Sequence, residues 1–320
     1  MSELKNVLTI GRYLKNKFGE KVYKVPISIS GFTCPNIDGT VARGGCSFCE
    51  TDYFSPNLQE KKTKFKLNPR INENPYLENQ LKQLEMQFNA TKQRLQNKFG
   101  SKKFIVYFQS FTNTYAPLST LKALYEKALS FENVIGLSIG TRTDCVTDEI
   151  LDYLLDLSKD KEIWIEFGIQ SFYDETLVNI NRGDTVSNMK YWIKRSKEKG
   201  LNVCGHLIYG LPNETQEMML ETFRQTVELN VDSIKFHPLY VVKNTLLTNE
   251  FKKGRFTPIS EELYIDTVVK SIVKLPPNIS VQRITAGIDD STLLSPEWCR
   301  DKHTQMKNIR LALQKEGFDY

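Results

Sequence analysis

The chain has 320 residues, 40% hydrophobic and 25% charged, with 43 Lys and Arg against 38 acids and a net charge of +5. That size accommodates one large α/β domain or two small ones, and the composition is that of an ordinary globular protein, only mildly basic. Six unevenly spaced cysteines exclude a disulfide scaffold, and no apolar run approaches the ~18 residues of a helical membrane span. The N-terminal MSELKNVLTIGRYLKNK lacks an apolar core followed by a small-residue cleavage site, so a cytoplasmic protein with no membrane partner is expected.

From Val22 to Ile29, Tyr23, Val25, Ile27 and Ile29 alternate with Lys24, Pro26, Ser28 and Ser30, which predicts a strand delivering Cys34. Residues 51–74 read as loop, and Pro75 opens a helix carrying Leu77, Leu81, Leu84, Phe88 and Leu95 that ends near Gly100. A strand at 104–109 and a helix at 118–130 follow, then strand 134–140 and helix 147–158. Strand 162–170 leads into helices 174–180 and 186–199, strand 202–209 into helix 215–229, and strand 232–237 closes the series. Such regular alternation predicts parallel strands wrapped by helices, a barrel-like domain over residues 1–240. A helix at 260–273, a strand at 279–285 and a helix at 301–315 are expected as an α/β extension over 241–320, packed on the barrel.

The strand faces say more than the strands. In 162–170, Ile163, Ile165, Phe167 and Ile169 alternate with Trp164, Glu166, Gly168 and Gln170; in 232–237, Lys235 and His237 oppose Ile234 and Phe236. A closed barrel fills its lumen with bulky branched side chains. Here the inner face carries Ser, Gly, Gln, Glu, Lys and His, which points to a hollow polar lumen holding a ligand; a partly open sheet with a wet face is the alternative. Basic clusters at Lys61, Lys62, Lys64, Lys66 and Arg70, and at Lys92, Arg94, Lys98, Lys102 and Lys103, suit phosphates or are simply solvated faces.

Between Cys34 and Cys49 the chain reads C-P-N-I-D-G-T-V-A-R-G-G-C-S-F-C, a C-x11-C-x2-C spacing in a glycine-rich loop. Three thiolates with no fourth cysteine nearby suit an iron–sulfur cube with one iron left for a small molecule; a zinc site completed by a distant His or Cys is the competitor. Cys145, Cys204 and Cys299 read as structural. Lys235, His237 and Arg283, the last sharing a face with Thr285, would suit an anionic substrate at the barrel mouth, or form ion pairs with lumen acids such as Glu166.

CPNIDGTVARGGCSFC, YFQSFTNTYAP, LSIGTRTDCVTDEIL, INRGDT and HLIYGLPNET, in this order, resemble the radical S-adenosylmethionine (radical SAM) superfamily, and within it the YhcC/YtqA-type group, related to the Elp3-like branch. The eleven-residue gap departs from the superfamily's usual C-x3-C-x2-C and is similar to the longer gap of this branch. The resemblance implies a partial (β/α)6 TIM-like barrel, a [4Fe–4S] cluster on Cys34, Cys46 and Cys49, and S-adenosylmethionine at the fourth iron. One-electron cleavage of the sulfonium would give a 5′-deoxyadenosyl radical, the electron coming from a donor such as flavodoxin or ferredoxin.

Carried over residue by residue, Phe48 offers an aromatic face for the adenine, or plain core packing. Gln109 and Ser110 stand where the superfamily binds the methionine amino group, although the usual Gly-Gly-Glu is missing. Thr141 and Arg142 contact the ribose or cap the turn. Glu166 and Gln170 end the fourth strand, and Gln170-x11-Arg182 resembles the pairing in radical porphyrinogen-oxidising enzymes, with Arg182 on the methionine carboxylate. His206 stands where that branch carries an acid. The group is linked to the tRNA wobble uridine, so the expected reaction remodels a carboxymethylaminomethyl-type side chain at C5. A small anionic metabolite such as a porphyrin-like carboxylate is the alternative, and a zinc-stabilised RNA-binding module without chemistry a third.

Overall fold

Seven stretches of alternating or wholly apolar residues pair into one parallel sheet in the computed structural model, which describes residues 4–49 and 65–320. Strands β1 (Val22–Ile27), β2 (Lys103–Phe108), β3 (Val134–Thr141), β4 (Glu162–Gln170), β5 (Asn202–Tyr209), β6 (Ser233–Pro238) and β7 (Ser280–Arg283) lie side by side in chain order. Every neighbouring pair is parallel. Long helices return the chain between strands, at Leu77–Phe99, Leu118–Leu129, Asp148–Ser158, Val186–Glu198, Gln216–Glu228 and Glu261–Val273. The start of several is set by one residue: the hydroxyls of Thr147, Thr185, Thr215 and Ser260 each accept an N–H from the first turn.

Helix-facing residues such as Ile163, Ile165, Phe167 and Ile169 are fully buried and supply the core between sheet and helices. The opposite faces line a lumen, and the sheet curls around it. Lys24 on β1 reaches Gln282 on β7 at 2.6 Å, so the two edge strands approach across the hollow side without pairing. The result is a curled, open α/β half-barrel.

The strand expected within the C-terminal extension is the seventh strand of this same sheet: Lys235 on β6 stands in register with Arg283 on β7. Strand pairing between distant segments leaves no local trace, so the membership of β7 was not legible. Residues after β7 add a short antiparallel pair (Leu293–Ser295 with Val241–Val242) and the helix Lys302–Lys315. The two termini clasp each other through the pairing of Lys5–Asn6 with Phe318–Asp319. No helix among the described residues is long and apolar enough to cross a membrane. Lys61, Lys62 and Lys64 of the first basic cluster, and most of the loop expected at 51–74, lie outside the described residues.

Candidate active site

The cysteine loop is shaped by glycines and held by a turn far away in sequence. Cys34 starts a single helical turn, Pro35–Asp38, which Gly39 ends in the left-handed region at φ 92°. Gly44 and Gly45 follow at φ 87° and 76°, a backbone that side-chain-bearing residues rarely adopt, and lead the chain into Cys46 and Cys49. All three thiols line one cavity of about 360 Å³.

The turn after β4 fastens this loop. Ser47 N–H donates to Ile180 O at 2.8 Å, and Asn181 Nδ2 donates to Gly45 O at 2.7 Å. The fully buried Asn36 donates to Asn181 O at 2.5 Å and Arg182 O at 2.7 Å. Gly183 must be glycine here, because a Cβ would collide with Asn36 Oδ1 and Val41.

Two guanidiniums crowd the thiols. Arg142 makes a fork to Asp144 at 2.7 and 2.6 Å, leaving Nη1 buried without a partner among the described residues. Burial works against its charge, but the Asp144 bond and the Cys34 and Cys46 sulfurs hold its pKa above the ordinary value. Arg182, 5% exposed, is pinned through Nη2 to Gly168 O at 2.5 Å, with Nη1 4.0 Å from Cys46 Sγ and Nε without a partner among the described residues. Gln170 beside it holds φ at 69°, a rare conformation for a non-glycine residue.

The lumen floor is different in kind. Glu166 is fully buried and accepts from four donors: Lys24 at 2.6 Å, His206 at 2.8 Å, and Ser138 and Lys235. Burial alone would raise its pKa, but the Lys235 and Lys24 ammoniums and His206 hold it well below the ordinary carboxylate value. His206 is lowered to about 4 by burial and by Lys235, so it stays neutral and donates to the carboxylate. Glu166, Cys204 and His206 converge within 4.8 Å, yet a cation placed there would meet two ammoniums. Arg283 and Tyr240 line the same cavity, and Arg283 Nε and Tyr240 OH are buried without a partner among the described residues.

Residues 38–226 match the family model "Radical SAM superfamily", and residues 231–315 match "Radical_SAM C-terminal domain". The chain belongs to the radical SAM superfamily. It is 36% identical over 315 residues to protein YhcC of Escherichia coli K12, covering 98% of this chain and 94% of that one. It is 33% identical over 309 residues to YtqA of Bacillus subtilis 168, covering 97% and 90%. These likenesses put it in the YhcC-type group of radical SAM enzymes. Among solved structures, an N-terminally deleted Elp3 of the archaeon Methanocaldococcus infernus shares the fold, with TM-score 0.60 and 19% identity. That match covers 92% of this chain but 64% of the archaeal one, less than two thirds of its length. A zinc-stabilised module without chemistry is thereby set aside.

The radical SAM site gathers most of the residues expected from the sequence, in altered roles. Cys34, Cys46, Cys49, Phe48, Gln109, Thr141, Glu166, Gln170, Arg182, His237 and Arg283 all line the cavity. Phe48 does so while packing against the core, and the Thr141 hydroxyl is held by Thr114 at 2.5 Å. Ser110 is a correction: it is 1% exposed, lies off the cavity lining, and its hydroxyl meets Ser28 Oγ at 2.6 Å. Glu166 is another, since both carboxylate oxygens already take two donors each and leave nothing to offer a ligand.

Lys235 is not a free cation at the mouth. Its ammonium pairs with Glu166, bonds Tyr107 OH at 3.0 Å and sits 4.4 Å from that ring's centroid. His237 is lowered to about 3 by burial and by Arg283, and its Nδ1 donates to Pro238 O at 2.5 Å. Of the expected cationic trio, Arg283 alone both lines the cavity and has a guanidinium nitrogen, Nε, without a partner among the described residues. Asn36, Lys24, Tyr107 and Tyr240 were missed. Lys24 stood on the polar face of its strand and was visible in principle; Asn36 lies in a single helical turn and Tyr240 in a loop, both too short for periodicity to report a face.

The donor set fits a cluster with one open coordination position: three thiols line one cavity, bordered by buried guanidinium atoms that no group among the described residues satisfies.

Proposed function

We propose that Cys34, Cys46 and Cys49 hold a [4Fe–4S] cluster, that S-adenosylmethionine fills its vacant corner, and that the substrate is a tRNA wobble uridine. The carrying observation is one cavity lined by the three thiols and by Arg283 and Tyr240, whose Nε and OH are buried without a partner among the described residues. When bound, cluster and S-adenosylmethionine supply a 5′-deoxyadenosyl radical that takes a hydrogen atom from the substrate. Everything else falls to the chain. Arg142 and Arg182 place positive charge against the thiolates and the methionine carboxylate. Gln109 and Gln170 offer neutral donors and acceptors along the cavity wall, and Phe48 and Ile208 exclude water from it.

The likeness to Elp3 and the size of the cavity support an extruded nucleoside, with the side chain at uridine C5 directed at Arg283. A carboxymethylaminomethyl-type group is the specific reading. A small anionic metabolite would use the same Arg283. We place the enzyme in the cytoplasm, served by a flavodoxin- or ferredoxin-type electron donor. The deciding measurement compares modified nucleosides in tRNA from cells with and without the protein: an accumulated wobble-uridine precursor supports the reading, and an unchanged nucleoside profile with tight tetrapyrrole binding sinks it. Arg283→Ala is expected to cleave S-adenosylmethionine normally and lose substrate turnover.

A further inference from the structure

The three cysteines are not equivalent. Cys46 is 8% exposed, whereas Cys34 and Cys49 are of intermediate exposure. Its sulfur also has Arg182 Nη1 at 4.0 Å and Asn36 Nδ2 at 3.8 Å. Asn36 gives both amide hydrogens to the Asn181 and Arg182 carbonyls, so it clamps the turn and leaves Arg182 as the donor to the sulfur. Arg182 is itself held through Nη2 to Gly168 O, so it does not swing freely toward another acceptor. Asn181 Nδ2 holds Gly45 O, the backbone next to Cys46, at 2.7 Å. The 180–183 turn therefore carries both the loop that presents Cys46 and the guanidinium beside its sulfur.

We propose that Arg182 sets the reduction potential of the cluster through N–H donation and positive charge at the Cys46 sulfur, with Asn36 as the clamp that keeps sulfur and guanidinium together. This rests on the cluster reading above. Hydrogen bonds to ligating sulfurs and exclusion of solvent are among the main controls of cluster potential. Donation to a thiolate stabilises the extra negative charge of the reduced form, so it raises the potential and makes the electron easier to accept. Cys34 and Cys49, more exposed, supply ligation. Arg182 thus acts on the cluster before any S-adenosylmethionine arrives, in addition to any contact it makes with the methionine carboxylate.

The test uses anaerobically purified, cluster-loaded full-length protein in the absence of S-adenosylmethionine, titrated with dithionite and redox dyes and followed by electron paramagnetic resonance. Arg182→Gln is expected to shift the midpoint potential to more negative values and Arg182→Lys to shift it less, because the charge remains. Arg182→Gln leaves the Asn36 clamp on the 181 and 182 carbonyls in place, so the loop that presents Cys46 is kept and only the charge and the donor at the sulfur change. In wild-type protein grown on 15N-arginine, the reduced cluster is expected to show an electron–nuclear coupling to nitrogen that Arg182→Gln lacks. Full iron content with an unchanged potential in Arg182→Gln, or no arginine coupling in the wild type, overturns the proposal. Wild-type protein that takes up no iron overturns the cluster reading instead.

Discussion

The floor of the lumen and the cavity wall that includes its thiol pole are built from similar residue types and behave differently. On the floor, Glu166 is satisfied by Lys24, Lys235, His206 and Ser138, and the charges close on one another. Along the wall, Arg142 Nη1 and Arg182 Nε near the thiols, and Arg283 Nε and Tyr240 OH, are buried and have no partner among the described residues. A buried polar atom left unpaired costs about 1–3 kcal/mol. Four of them around one cavity are what a ligand could complete. Asn36 Oδ1, Ser47 Oγ, Asn113 Oδ1 and Gln282 Nε2 are also unpaired among the described residues but belong to residues off its lining, so a missing partner points to binding only where it coincides with the cavity.

The sharpest way to break this contrast is to exchange cysteines between the two classes. Cys34→Ala, Cys46→Ala and Cys49→Ala are each expected to reduce iron, about four per chain in an intact cube, to near background. Cys145, Cys204 and Cys299 are also buried, with burial raising the Cys204 thiol to about 12. Their alanine variants are expected to keep full iron. Iron retained by a Cys46→Ala protein would remove the thiol pole from the scheme.

Next in size is the floor. Glu166→Gln keeps the shape but leaves two buried ammoniums facing a neutral amide. Breaking a buried ion pair this way costs roughly 3–5 kcal/mol, read as a lowered urea midpoint, while iron content stays at the wild-type level. A small loss of stability together with a large loss of S-adenosylmethionine cleavage would mean that Glu166 serves the ligand after all.

The legibility of these features follows from the range of the interactions behind them. Strands β2 to β6 were visible because their apolar faces repeat within a few residues, as in Ile163, Ile165, Phe167 and Ile169. The cysteine loop was visible because metal ligation imposes a local spacing. Lys235, His237 and Arg283 were correctly placed on lumen faces, but alternation reports the side of a strand and not what stands opposite. Glu166, 69 residues from Lys235 in sequence, is what neutralises that lysine. Asn36 was hidden for the same reason: its partners are 145 and 146 residues away.

A smaller effect separates floor from pole by acid. His206 has a folded pKa of about 4, below its ordinary 6.5, so the unfolded chain binds more protons between these values. Stability therefore rises with pH across that window and is lost as pH falls through it. Glu166, also depressed, contributes above the ordinary carboxylate pKa and loses that contribution at still lower pH. Melting temperatures measured from pH 7 to pH 4 are expected to fall more steeply for wild type than for His206→Gln. Parallel curves would show that the floor is not proton-linked through this histidine.

The smallest effect is expected at Ser110, where the sequence pointed to cofactor binding and the structure turns the hydroxyl toward Ser28 at 2.6 Å. Ser110→Ala removes one buried hydrogen bond, a loss of about 1 kcal/mol, and leaves the cavity lining of Gln109, Arg142 and Arg182 in place. The variant should melt slightly lower yet bind S-adenosylmethionine as the wild type does, measured by calorimetry on cluster-loaded protein. Tenfold weaker binding, about 1.4 kcal/mol, would be more than the loss of a distant hydroxyl can produce. It would move Ser110 from the paired, structural class into the ligand-facing one.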